Sequence, residues 1–119
     1  MTTSFVTEPK DGYAIIRMFA SSLDSQTTAE LRSELVLLSG NSVSNMIIDL
    51  SLCKACDTNG LSAIMIAHRL CKSGHLILAG VSSDVWSILS IQRFDPELDI
   101  VQDVEEAEAR MAAFLAQEG

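Results

Sequence analysis

Positive charge is scarce in this chain. Its 119 residues hold eight Lys and Arg against sixteen Asp and Glu, a formal net charge of −8, with an isoelectric point near 4.5. A surface of that sign repels phosphate backbones and anionic headgroups, so no role on nucleic acid or at a membrane surface is expected. Histidine is scarcer still. Only His68 and His75 occur, in segments that read as core or strand start, and the sequence has no nucleophile elbow and no Gly-rich phosphate cradle. An enzyme is not expected, and no cofactor is implied. No apolar run reaches the roughly 18 residues that a spanning helix needs, and Met1-Thr2-Thr3-Ser4 lacks the basic, then apolar, start of a signal peptide. Cys53, Cys56 and Cys71 are an odd number of cysteines in a chain long enough to build a core without disulfides, which points to a reducing compartment. A cytoplasmic location is therefore expected.

What the chain does contain is the balance of an ordinary globular protein, 48% apolar and 20% charged residues. Its length suits one domain spanning 1–119 and is too short for two good cores. Internal repeats, low-complexity tracts and linkers are missing.

Tyr13 to Phe19 is rich in aromatic and β-branched residues and comes after a Pro9-Lys10-Asp11-Gly12 turn signal, so it reads as a strand, pairing with Phe5-Val6 in a hairpin. Thr27-Thr28-Ala29-Glu30 has capping-box spacing ahead of Leu31, Leu35 and Leu38, and Gly40 stands where a helix stops. Met46 to Leu50 is a short apolar run broken only by Asp49, as in a strand covered on both faces. From Gly60 to Ser73 a second helix places Leu61, Ile64, Met65, His68 and Cys71 on one face, and Leu76 to Gly80 is another buried strand. Ser82 or Ser83 caps a helix carrying Val85, Ile88 and Leu89, Pro96 interrupts the stretch beyond it, and Asp99 to Val101 is a last strand. Asp103 with Glu106 caps a final helix that puts Val104, Ala107, Met111 and Phe114 on one side. This alternation predicts an α/β single-domain sandwich with right-handed crossovers, a mixed, mostly parallel sheet of four to five strands and about four helices. Ile47, Leu50, Leu61, Ile64, Leu78 and Leu89 are its expected core.

The informative segment runs from Met46 to Leu61. A buried strand passes into a loop, and Asp57 or Thr58 then caps a helix whose first turn includes Asn59 and Gly60. A hydroxyl is thereby set at a helix N-terminus, where unpaired N–H groups and the macrodipole accommodate negative charge. Gly60 takes a side chain out of that turn, which would let another surface approach closely. Most Asp and Thr in such places are caps and nothing more.

In order and spacing, these residues resemble the STAS domain family. Its apolar strand ending in Asp-Leu-Ser matches Asp49-Leu50-Ser51, and its Asp-Ser-Ser/Thr-Gly-Leu matches Asp57-Thr58-Asn59-Gly60-Leu61. Gly74 and the Leu76–Gly80 strand come next, Leu23-Asp24 lies upstream and Val85-x-x-x-Leu89 downstream. Thr58 stands where the usual residue is Ser, Asn59 replaces a second hydroxyl residue, and Ser21-Ser22 occupies the place of a common Gly. The resemblance implies an anti-sigma factor antagonist that docks onto a serine/threonine-kinase anti-sigma factor of the histidine-kinase-like ATPase fold. Partner switching would run through reversible phosphorylation of Thr58, reset by a serine/threonine phosphatase. Asp24, Asp57, Thr58, Asn59 and Gly60 are the expected docking residues. Trp86, one position off its helix's apolar stripe, is either an interface anchor or a rim-packed side chain.

Two alternatives remain open. The chain is also similar to stand-alone STAS subunits that contact the ATPase of a lipid ABC transporter, where Thr58 would make a contact without being phosphorylated. Cys53-x-x-Cys56 with His68 and Cys71 has the residue types of a small zinc-binding module, although free Cys on an apolar face is commonly a small buried hydrophobe. A redox Cys-x-x-Cys usually opens a helix, and here Asp57-Thr58 hold that place.

Overall fold

The computed structural model describes residues 4–91 and 98–118; Pro96 lies outside them. In chain order the elements are β1 (Phe5–Pro9), β2 (Ala14–Met18), β3 (Ser22–Leu23), α1 (Ser25–Gly40), β4 (Met46–Asp49), β5 (Ala55–Cys56), α2 (Thr58–Leu70), β6 (Leu76–Ala79), α3 (Ser83–Ile91), β7 (Asp99–Val101) and α4 (Val104–Glu118). One sheet has five strands in the order β1-β2-β4-β6-β7, and β3 with β5 forms a separate pair. The β1–β2 hairpin is antiparallel and every other pairing is parallel. The expected α/β architecture is the one observed.

The sheet is built on matched rows of branched residues. Ile15, Ile47 and Ile77 stand side by side across β2, β4 and β6, and Ile16, Ile48 and Leu78 form the next row. Because side chains alternate along a strand, consecutive rows face opposite sides. The Ile16 row packs with Leu31 and Leu35 of α1, Leu61, Ile64 and Ala67 of α2, and Val85 and Leu89 of α3. The Ile15 row packs with Ala107 and Met111 of α4, with Val104 and Phe114 at its margin. From β2 through β4 and β6 to β7 the sheet always advances to the adjacent strand. Crossovers of one hand then put all their helices on one face, and the opposite face stays open until α4 folds back over it.

Local caps explain where the helices begin. Asp24, not Thr27, caps α1, accepting from the Thr27 backbone N–H at 2.9 Å. Thr27 and Thr28 instead turn into the interior, so the expected capping box there does not form. Ser82 caps α3 through its Oγ, which accepts from Val85 N–H. Asp103 accepts from Glu106 N–H at 2.8 Å, while the Glu106 carboxylate reaches back to Gln102 N–H. Gly40 lies within the last turn of α1, and the left-handed residue that ends the segment is Ser42 (φ 68°).

On α2 the buried face is Gly60, Leu61, Ala63, Ile64 and Ala67. Met65, expected on that face, points outward and is 39% exposed, since a period of 3.6 carries it a full step away from Ile64. Ile64→Asp should therefore bury a lone carboxylate and lower stability by at least about 3 kcal/mol. Met65→Asp should change it by less than about 1 kcal/mol. Urea unfolding of the two variants checks the placement, and comparable losses in both would contradict it.

Candidate functional site

The short β3–β5 ladder brings two helix starts together. Ser22 pairs with Ala55 and Leu23 with Cys56, Lys54 N–H donates to the Ser21 carbonyl at 2.7 Å, and Asp57 N–H donates to the Leu23 carbonyl at 3.2 Å. The next residues, Asp24 and Asp57, have nearly identical backbones (φ −98°, ψ −175° and φ −100°, ψ −175°) and each caps the helix it precedes. Asp24 Oδ1 accepts from Thr27 N–H at 2.9 Å and Asp57 Oδ1 from Gly60 N–H at 3.0 Å. The hydrogen bond from the Thr27 N–H holds the Asp24 carboxyl below its ordinary value of 3.8. Thr58, directly after the cap, occupies the first position of α2, and both it and Asn59 are exposed. Asp24, Asp57, Thr58 and Asn59 thus share one surface over two packed helix N-termini, whose dipoles both point their positive ends outward.

Gly60 has a different task from the one its sequence position suggests. It is buried, and a Cβ there would lie 2.6 Å from Leu23 Cβ, 2.7 Å from the Leu23 carbonyl oxygen and 2.7 Å from Cys56 Sγ. The close approach it permits is that of β3 in the same chain. Gly60 shapes the site from beneath and does not present itself to a partner.

The Asp49-Leu50-Ser51 segment turns the chain out of the sheet. Asp49 Oδ1 accepts from Ser51 N–H at 3.0 Å, a side-chain turn of the kind Asp favours, and its other oxygen lies 3.6 Å from the Arg17 guanidinium. Gly80 has φ +71°, and a Cβ on it would come within 2.9 Å of Ser51 Cα. This turn carries β4 into β5 and so fixes where α2 begins. Helix α3 packs beside β5, with Val85 and Leu89 buried and Trp86 40% exposed. Leu52, in the same loop that leads to β5, is 52% exposed. Neither the β3–β5 pair nor its twinning of the caps was foreseen from the sequence; two-residue strands carry no periodicity to detect, and the one available signal was that Leu23-Asp24 and Cys56-Asp57 are both apolar-Asp before a helix.

The cysteines do not gather. Cys53 and Cys56 precede α2 and Cys71 caps its far end, separated by a helix about 20 Å long. Among the described residues no group of three or more His, Cys, Asp or Glu is placed to hold a metal ion, so the Cys53, Cys56, His68, Cys71 zinc constellation is not assembled. Burial pushes the Cys56 and Cys71 thiols up to about 12 and raises Cys53 as well, which disfavours the thiolates that metal binding and redox exchange use. No described helix is long and apolar enough to cross a membrane.

Comparison with known proteins places this geometry. The family model for the STAS domain matches residues 4–107. A search of curated proteins found no match. Among solved structures, the phosphorylated form of the Bacillus cell fate determinant SpoIIAA superposes with a TM-score of 0.72 at 20% identity, covering 89% of this chain and 97% of that one. A serine-to-glutamate variant of RsbS from Moorella thermoacetica reaches 0.79 at 16% identity, covering 97% and 99%. A sulfate transporter family protein from Wolinella succinogenes reaches 0.78 at 17% identity, covering 88% of each chain.

Two stability tests address the site. Gly60→Ala must push the start of α2 away from Leu23 of β3 and Cys56 of β5 and should cost roughly 1–3 kcal/mol. By contrast Gly40→Ala, where a Cβ meets nothing within 4 Å, should stabilise by about 0.5–1 kcal/mol. Denaturant midpoints that shift alike would contradict the packing. Asp24 is a carboxyl depressed on folding, so its contribution is complete above the ordinary value of 3.8 and is lost as pH falls through the lower folded value. Acid unfolding of Asp24→Asn should accordingly be flatter than that of the parent below pH 3.8.

Proposed function

The chain belongs to the STAS domain family, and within it we propose that this protein is an anti-sigma factor antagonist controlled by reversible phosphorylation of Thr58. Its partner in this reading is a serine/threonine-kinase anti-sigma factor of the histidine-kinase-like ATPase fold, and a serine/threonine phosphatase resets the switch. The observation that carries the reading is the position of the Thr58 hydroxyl: exposed, at the first residue of α2, over the twinned helix starts that β3 and β5 hold in register.

A phosphate there adds roughly −1.5 to −2 charges. Helix N-termini tolerate such charge, so the fold survives it. Asp24 and Asp57 already occupy the capping N–H groups of Thr27 and Gly60, so the phosphate is repelled by two carboxylates and left on the docking surface. Unphosphorylated, the face offers a hydroxyl and an amide, with Trp86 on neighbouring α3 as an apolar anchor. Phosphorylated, it presents concentrated negative charge to a partner shaped for the neutral form. Like-charge contact inside an interface costs several kcal/mol, and each 1.4 kcal/mol is about tenfold in affinity. Solved structures of the same fold include an anti-sigma factor antagonist in an unphosphorylated form and the cell fate determinant in a phosphorylated one. The role is one of binding and being modified, with no reaction catalysed by the chain itself.

Because Asp57 is the cap, Thr58→Ala should alter folding stability by less than about 0.5 kcal/mol and leave partner binding in place. Thr58→Glu should weaken binding by tenfold or more, about 1.4 kcal/mol, with the melt unchanged. Incubation with the cognate kinase and ATP should place one phosphate on Thr58, located by mass spectrometry, and none on the Ala variant. Capture of a transporter ATPase in place of a kinase, with Thr58→Glu binding undiminished, would favour the lipid-transporter subunit and reject the switch.

A further inference from the structure

The geometry points to a second binding site, at the opposite end of α2 from Thr58, that takes a small phosphate-bearing organic molecule. A cavity of about 500 Å³ opens between the end of α2 and the starts of β6 and β7, with Arg69, Lys72, His68 and His75 around it and Cys71 and Leu76 supplying buried apolar surface. This is within the range of small-molecule pockets. In a chain of net charge −8, two cations, two imidazoles and one carboxylate, Asp99, are the titratable groups that line it among the described residues, and Asp99 is itself engaged by Arg110.

Cations near a helix C-terminus commonly serve the helix, offsetting its dipole or binding its last carbonyls. Here the Ala67, Arg69 and Cys71 carbonyls already accept from the backbone N–H groups of Cys71, Lys72 and Gly74. Among the described residues, no ion pair or hydrogen bond involves the Arg69 or Lys72 side chain. Their charges are available to a ligand. A guanidinium fork and an ammonium both pair with phosphate oxygens, and the volume exceeds what a bare phosphate fills, leaving the Cys71 and Leu76 side for an organic moiety. The inference does not rest on Thr58, from which the length of α2 separates it.

Inorganic pyrophosphate is the probe. Calorimetric titration into the full chain at low salt should give saturable 1:1 binding, with amide shifts on NMR confined to the segment 68–76 and its neighbours. Arg69→Gln with Lys72→Gln should weaken it at least tenfold, while Arg32→Gln with Lys10→Gln, an equal change of net charge, and Thr58→Ala should leave it within twofold. Citrate should bind at least tenfold more weakly than pyrophosphate. The site is overturned if no saturable binding occurs, if the shifts map elsewhere, or if both charge pairs weaken it equally. Equal binding of citrate overturns the assignment to phosphate. The NMR map of the parent protein decides the location even where a variant folds poorly.

Discussion

The two-sided burial of β2, β4 and β6 is the constraint on which the rest of this structure depends. Ile15, Ile16, Ile47, Ile48, Ile77 and Leu78 are all at most 1% exposed, so each strand needs cover on both faces. Parallel neighbours need crossovers, crossovers of one hand crowd onto one face, and the remaining face must be closed by the chain beyond the last strand. Helix α4 meets that need with few large side chains, because Ala107 and Met111 fit closely against the Ile15 row. The apolar residues of the helices go to the same cores, with Leu31, Leu35, Leu61, Ile64, Val85 and Leu89 turned onto the sheet, and the helix starts at Asp24 and at Asp57-Thr58 remain polar.

The surface over the two helix starts is a consequence of that arrangement. At the C-terminal edge of the sheet the chain leaves β2 and β4 by parallel routes, and β3 and β5 hold those routes in register before each enters its helix. Two caps with the same backbone geometry, side by side, set two positive helix ends under one surface. Gly60 is the residue that lets them come so close, and Gly80 with Asp49 makes the turn that brings β5 into place. Close packing beneath, at Gly60, and exposure above, at Thr58, suit the phospho-switch proposed for this surface.

Charge is distributed along α2 in a way that fits two kinds of contact. Its N-terminal end carries the acidic caps and an exposed hydroxyl, and its C-terminal end gathers Arg69, Lys72 and two imidazoles around a cavity. The local sign thus reverses over a single helix within a strongly acidic chain. Such reversal is information that net charge conceals, since net charge governs long-range steering while close recognition depends on local clusters.

Periodicity and turn chemistry determined, from the sequence alone, the order of the main strands and helices, the parallel core and the inward positions Ile47, Leu50, Leu61, Ile64, Leu78 and Leu89, and the resemblance of the Asp57–Leu61 motif pointed to the family. These are local properties, written in residues a few positions apart. Other features depended on neighbours distant in sequence, which only the tertiary structure supplies. Asp24 took the cap from Thr27 because α1 starts where β3 ends, and β3 exists only through its pairing with β5. Gly60 proved internal because Leu23 lies against it. The cysteines and His68 share zinc-ligand residue types, yet the length of α2 holds Cys71 away from Cys53 and Cys56. The basic cavity was invisible for the same reason: Arg69, Lys72 and His75 read as a helix end and a strand start until the fold set them around one opening.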